Sequence, residues 1–279
     1  MISDYAHARH AGNVGDVLKH VALTAALEAL TAQPEPLLYL ESHAGDGLFP
    51  LGSTGEWTAG VQKLWPAQGA ELLAQGESLI DRWLKIVGQH GGNGERLFKY
   101  PGSPLIAQAL LRPADKLLLH ELDAEVAKVL RGALAGDARA EVREADGLAA
   151  LPAAVSSAPR VLALVDPPYS AKAEWAEVAK SVIAARTRAP RAAVMVWYPI
   201  KALTRPRGLL SALTEGGVHG TVIELLATPL RLKRDRLAGS GLVLSGLPAR
   251  AVAEVCAALP RLGAALNTHG EWSAAQIGF

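Results

Sequence analysis

Cysteine is almost missing from this sequence. Cys256 is the single one among 279 residues, which excludes an internal disulfide and any zinc site built on cysteine pairs. An excess of charge of one sign is missing too. Twenty-eight Lys and Arg face 27 Asp and Glu, a formal net charge of +1. Total charge therefore announces no nucleic-acid partner, and any basic footprint has to be local. No charge-free run of 18 or more apolar residues occurs, so no membrane span is expected. The opening Met1-Ile2-Ser3-Asp4-Tyr5-Ala6-His7 turns polar too early for a secretory signal. A cytoplasmic protein is the expectation. Neither His-Glu-x-x-His nor a complete Gly-x-Gly-x-x-Gly is present, which weakens a metalloprotease or dinucleotide reading.

What is present is core-forming material. Half of the residues are apolar and a fifth are charged, enough for a packed core. The length suits one large domain, or one domain with an insertion. Apolar positions in 14–30 recur with helical spacing, with Asn13 or Asp16 as cap and Pro34 and Pro36 beyond the end. Continuous apolar runs at 37–41, 117–121, 161–165 and 192–198 read as strands covered on both faces. Weaker runs lie at 140–144, 222–228 and 241–246, making seven in all. Helical stretches, including 123–135, 172–186 and 249–262, separate them. This alternation predicts an α/β fold with a mainly parallel sheet, whose binding crevice lies at the carboxyl ends of the strands.

One interval breaks the rhythm. About 75 residues separate the first two strands, against roughly 30 for an ordinary βαβ unit. Helices are expected at 56–65 and 70–87. Residues 53–99 read as a helical insertion subdomain, with Trp57, Trp65 and Trp83 in a core of its own. Residues 1–52 and 100–279 form the main domain.

The strand ends carry the chemistry. Glu41 closes the first strand, and Gly45-Asp46-Gly47 follows as a turn in which glycines let the backbone approach a ligand. Glu121 ends the second strand, where an acid commonly meets ribose hydroxyls; a helix cap by Asp123 is compatible with that. Asp146, followed by Gly147, suits either an adenine amino group or a helix cap. The fourth strand ends in Asp166-Pro167-Pro168-Tyr169. An acid-Pro-Pro-aromatic tetrapeptide arises by chance in on the order of one chain in a hundred of this size. Its position at a buried strand end narrows the reading further.

That tetrapeptide has a specific logic. An exocyclic amino group on a base is a poor nucleophile, because its lone pair is delocalised into the ring. The Asp166 carboxylate and the Pro167 carbonyl can accept both of its N–H groups and favour a pyramidal nitrogen. The prolines stiffen the turn, and Tyr169 offers a face for a flipped base. Rate then comes from alignment with a methyl donor. Cys256 lies in an apolar stretch and reads as core.

Together, Glu41–Gly47, Glu121, Asp146 and Asp166–Tyr169 resemble class I S-adenosylmethionine-dependent methyltransferases that act on amino groups. Further stretches at 10–20, 42–47, 100–107, 145–147, 166–169, 197–199 and 240–241 extend the match along nearly the whole chain. As a set they resemble the RlmJ family of bacterial 23S rRNA adenine-N6 methyltransferases. The resemblance implies a Rossmann-like fold with a seven-stranded, mainly parallel sheet. It implies S-adenosyl-L-methionine as cofactor, S-adenosyl-L-homocysteine as product and 23S rRNA as partner. The target would be of the adenine-2030 type. No membrane and no obligate protein partner are called for.

By the same resemblance Lys19, His20, His43, Gly45, Ser103, Glu121, Asp146, Gly147 and Asp166 line the cofactor pocket. Asp166, Pro167 and Tyr169 are catalytic, and Tyr5, His7 and Tyr169 meet the RNA. The chain departs from the family pattern at Asp4, which follows Ser3, and in the dense basic run 231–236. That run, with Arg205 and Arg207, is read either as a phosphate contact or as a solvated loop. Three of the eight histidines, His7, His10 and His20, lie within fourteen residues. Zinc binding by them is the rival to a lid and pocket wall. A DNA N6-adenine, DNA N4-cytosine or protein-amide methyltransferase using the same tetrapeptide remains the alternative function, with a non-catalytic nucleic-acid-binding module beside it.

Overall fold

A computed structural model describes residues 10–65, 77–93, 96–232 and 237–279. The chain folds around an eight-stranded sheet. Its strands are β1 (Leu38–Glu41), β6 (Lys116–Glu121), β7 (Ala140–Glu144), β8 (Val161–Val165), β9 (Ala193–Ile200), β10 (Thr221–Leu226), β11 (Gly239–Ser245) and β12 (Ser273–Gly278). Short ladders β2 (Leu48–Pro50) with β5 (Lys99–Pro101), and β3 (Gly92–Asn93) with β4 (Arg96–Leu97), lie outside it. The spatial order is β12-β10-β11-β9-β8-β1-β6-β7.

From β9 to β7 all neighbours run parallel, whereas β11 is antiparallel to β9 and β10, and β12 to β10. All seven expected strands form. The eighth, β12, is an addition: a weakly apolar stretch that becomes a strand by pairing with β10.

β1 is flanked by β6 on one side and β8 on the other. The strand order therefore reverses at β1, and the crevice of such a sheet opens outside its carboxyl end. Alternating residues of each strand feed two cores. Tyr39, Leu119, Leu164 and Met195 pack on one face. Leu40, Leu118, Ala163 and Val196 pack on the other.

Helices α1 (Val14–Thr31), α2 (Leu79–Gly91), α3 (Ser103–Leu110), α4 (Ala124–Ala133) and α8 (Ala249–Leu266) cover the first face. Helices α5 (Gly147–Ala154), α6 (Glu174–Arg188) and α7 (Thr204–Glu215) cover the second. α1 is buried nearly all round, as its Ala- and Leu-rich sequence requires. Asn13 caps it by accepting the Asp16 N–H at 3.0 Å, worth about 1 kcal/mol.

The insertion differs from expectation. Glu56–Trp65 is two short 3₁₀ turns, Glu56–Thr58 and Val61–Lys63, rather than one helix. The second expected helix runs over Leu79–Gly91 in the described residues. Gly60 lies so close to α1 that a Cβ there would sit 2.0 Å from the Gly12 carbonyl oxygen, and the Val61 N–H donates to that oxygen at 2.9 Å. Trp65 and Trp83 are buried and Trp57 packs beside them, but within the same cluster as Tyr39 and Leu119. They extend the main core rather than form a separate one.

Candidate active site

At the carboxyl end of β8, Asp166 turns its side chain toward α1. Lys19 on α1 donates to Asp166 Oδ2 at 2.5 Å and to Asp16 Oδ1 at 2.7 Å. The three side chains are 9–21% exposed, so the bridge is largely shielded from water. Burial raises the Asp166 pKa, and the Lys19 ammonium opposes it. Asp16 is also pushed up by burial, yet the Lys19 ammonium and the Gly12 N–H bring it below the usual carboxylate range. Burial lowers the Lys19 pKa, but the two carboxylates outweigh it and keep Lys19 protonated far above neutrality. One ammonium between two carboxylates leaves an excess of negative charge.

The other predicted pocket residues converge on β1. Ser103, the first residue of α3, donates to Glu41 Oε1, and Tyr39 donates to Glu41 Oε2 at 3.0 Å. Glu41 is fully buried, and burial pushes its pKa up to about 8. His20 Nδ1 shares a 2.7 Å hydrogen bond with the Tyr100 hydroxyl. Burial lowers the His20 pKa to about 3, so the ring is neutral. The Gly102 N–H donates to the Gly47 carbonyl at 2.7 Å. Residues 100–103 thus join α1 to the turn after β1.

That turn is fixed on its other side by Glu121, whose Oε2 accepts the Gly45 N–H and whose Oε1 accepts the Asp123 N–H, both at 3.0 Å. Gly45 and Gly47 both have positive φ, 64° and 79°. Asp123 caps α4, while Glu121 holds the turn after β1. Asp146 caps α5 through the Leu148 and Ala149 N–H groups. Next to it, a Cβ on Gly147 would lie 2.1 Å from the Ser42 carbonyl oxygen. His43 pairs with Ser42 Oγ at 2.8 Å. Its pKa is lowered by burial against the pull of Asp166, Glu121 and Asp146.

Pro167 is buried and Pro168 exposed. Tyr169 has φ 51°, the one positive value at a non-glycine among the described residues. Its hydroxyl donates to the Trp197 carbonyl at 2.9 Å. Its ring packs against Trp175 at 4.3 Å and Trp197 at 6.3 Å between centroids. Tyr169 is therefore part of an aromatic cluster, not a lone platform.

Tyr5 and His7 lie outside the described residues. His10 Nδ1 sits 2.9 Å from Glu56 Oε1, whereas His20 Nδ1 is engaged by Tyr100. Among the described residues no three His, Cys, Asp or Glu side chains converge as a metal site. In the basic run, Arg231 is neutralised by both oxygens of Glu271 at 2.7 Å; 233–236 lie outside the described residues.

Sequence reasoning brought Asp16 toward the pocket at the polar start of the first helix and marked Glu41 as a strand-end acid, but did not assign Tyr39, Tyr100, Trp175 or Trp197 to the site. The spacing of Asp16, one helical turn before Lys19, already allowed their pairing; Trp197 needs the register between β8 and β9.

Comparison with known proteins gives the family. Residues 34–277 match the family model described as "Ribosomal RNA large subunit methyltransferase D, RlmJ". The chain is 34% identical over 273 residues to ribosomal RNA large subunit methyltransferase J of Escherichia coli, covering 95% of each. It is 32% identical over 276 residues to the protein of that name from Haemophilus influenzae, covering 96% of each. A crystal structure of a Legionella pneumophila protein of family DUF519 superposes with a TM-score of 0.87 at 29% identity, covering 96% of this chain and 98% of that one.

Proposed function

Because the chain belongs to the RlmJ family of ribosomal RNA large subunit methyltransferases, we propose that it methylates the N6 amino group of an adenine in 23S rRNA, of the adenine-2030 type, from S-adenosylmethionine. The observation that carries this reading is Asp166, largely shielded at the end of β8 with the Lys19 ammonium 2.5 Å from its Oδ2.

The donor set suits the cofactor. Glu121 offers carboxylate oxygens for ribose hydroxyls, and Asp146 has a second oxygen beyond its cap. The close approach of Gly147 to Ser42 leaves no room for a side chain between the ends of β1 and β7. Excess negative charge around Asp16 and Asp166 suits a cationic donor. When bound, the cofactor supplies an electrophilic methyl group on a sulfonium.

The chain's own residues act on the acceptor nitrogen. Lys19 engages Asp166 Oδ2, so Oδ1 faces the substrate as an acceptor. The Pro167 carbonyl is the second acceptor, aimed by two fixed φ angles. Transfer of that methyl group from sulfur to nitrogen would require the amino group to lose a proton. The Asp166 carboxylate, whose proton affinity burial raises, is placed to take it. Residues 53–99 are taken as the insertion subdomain of this enzyme.

Incubation with labelled S-adenosylmethionine and 23S rRNA, DNA or protein extract tests the reading. Label is expected in the RNA, at adenine N6. Asp166→Ala should lower transfer by at least about a hundredfold while the circular-dichroism melt stays cooperative, since Lys19 keeps Asp16 as partner. Label in DNA or protein alone, or undiminished transfer by the variant, would overturn it.

A further inference from the structure

Trp197 belongs to none of the roles above, yet three of them meet on it. It stands on β9 one position beyond the Val165–Val196 pair, so it lies beside Asp166 on the face that α1 covers. α1 rests directly on the indole. A Cβ on Gly15 would lie 2.8 Å from Trp197 Cζ2, a distance that only glycine accommodates without a shift. One turn later on the same helix, Lys19 places Nζ 5.9 Å from the indole centroid, within cation–π range. From the other side Tyr169, held at φ 51°, donates its hydroxyl to the Trp197 carbonyl and packs its ring against the indole. Among the described residues the buried indole Nε1 has no hydrogen-bond partner, and ring contacts hold the indole there.

We propose that Trp197 is a positioning residue of the methyl-accepting site, a shared plate against which Lys19 and Tyr169 are both set. Asp166 is then held between a fixed cation and a fixed aromatic face. Without the plate Lys19 can swing toward Asp16 alone, and the strained Tyr169 turn loses the surface it packs on. The acceptor nitrogen is then misaligned, an effect that costs rate rather than cofactor binding. This rests on the methyltransferase reading above.

The test compares Trp197→Leu, Trp197→Phe and Gly15→Ala with the unaltered protein, in single-turnover methylation of 23S rRNA across pH. Trp197→Leu should lose at least about tenfold in rate, with cofactor KM within about twofold, because the turn residues Gly45 and Glu121 are untouched. Trp197→Phe keeps an aromatic face for Lys19 and should recover most of the loss. Gly15→Ala leaves Trp197 in place but pushes α1 off it, so it should reproduce the leucine variant's kinetics. Alanine favours helix over glycine, so that loss is not a helix defect, and it keeps the test informative if Trp197→Leu does not fold. In both slow variants the acidic limb of the rate profile should move to higher pH, because burial of Asp166 is less opposed. A loss that is uniform across pH, or one that phenylalanine does not relieve, would mark a structural role and overturn the proposal. If the unaltered protein labels no ribosomal RNA, the function reading fails instead.

Discussion

At the scale of single residues the site is governed by how burial is compensated. Lys19 and Glu41 are opposite solutions. Lys19 meets two carboxylates and stays charged. Glu41 meets only the hydroxyls of Ser103 and Tyr39 and is pushed up to about 8. The sign of its effect on stability follows. Below its ordinary value of 4.5, Glu41 is neutral in both the folded and the unfolded chain. Above 4.5 the unfolded chain ionises it while the fold does not, so stability falls as pH rises. The loss levels off once the folded group ionises near pH 8. At about 1.4 kcal/mol per unit, it is at most of the order of 5 kcal/mol. Glu41→Gln should therefore flatten the decline in denaturation midpoint between pH 5 and 8. An equally steep decline in that variant would mean that Glu41 is ionised in the fold at neutral pH.

At the scale of elements, strands were the most legible. Val161–Val165 is apolar and buried at every position because both faces of the strand are covered, and the runs at 37–40, 117–119 and 192–198 are apolar in the same way. β12 was not legible because Ser273-Ala274-Ala275-Gln276 carries little apolar weight; its pairing with β10 makes it a strand. The helix expected over 56–65 failed for a tertiary reason. Gly60 presses on the start of α1 and Val61 bonds to Gly12, a long-range contact that periodicity cannot show. Asp166 and Glu121 were visible as strand ends, whereas Trp197 became visible only once β9 was placed beside β8. Gly147 shows how an element junction becomes chemistry. Its missing side chain lets the start of α5 touch the backbone at Ser42; under the proposed function this junction floors the cofactor pocket. Gly147→Ala should drive these strand ends apart, because its neighbour is rigid backbone. A loss of at least about 2 kcal/mol and a cofactor KM raised tenfold or more are expected from denaturation and initial-rate assays. A KM that does not change would show that the junction does not shape the pocket.

At the scale of the whole molecule, a net charge of +1 has to serve a polyanionic substrate. Much of the positive charge is spoken for: Arg82, Arg112, Arg139, Arg143, Arg160, Arg231 and Arg261 sit in ion pairs. Lys172, Lys201, Arg205 and Arg207 are exposed and none forms an ion pair among the described residues. All four lie on the segments that leave β8 and β9 at their carboxyl ends, the edge that carries Asp166 and Tyr169. Under the proposed function these cations, rather than Arg231, meet the RNA backbone. Each phosphate contact contributes about 0.7–0.9 to the slope of log affinity against log salt. Lys201→Glu, Arg205→Glu and Arg207→Glu combined should lower that slope by roughly two to three and weaken binding at moderate salt by well over tenfold. Arg231→Glu should change it far less, because Glu271 already neutralises that side chain. Filter binding of 23S rRNA fragments across a salt series separates the two. Equal slopes in the triple variant and the unaltered protein would place the RNA backbone on another surface.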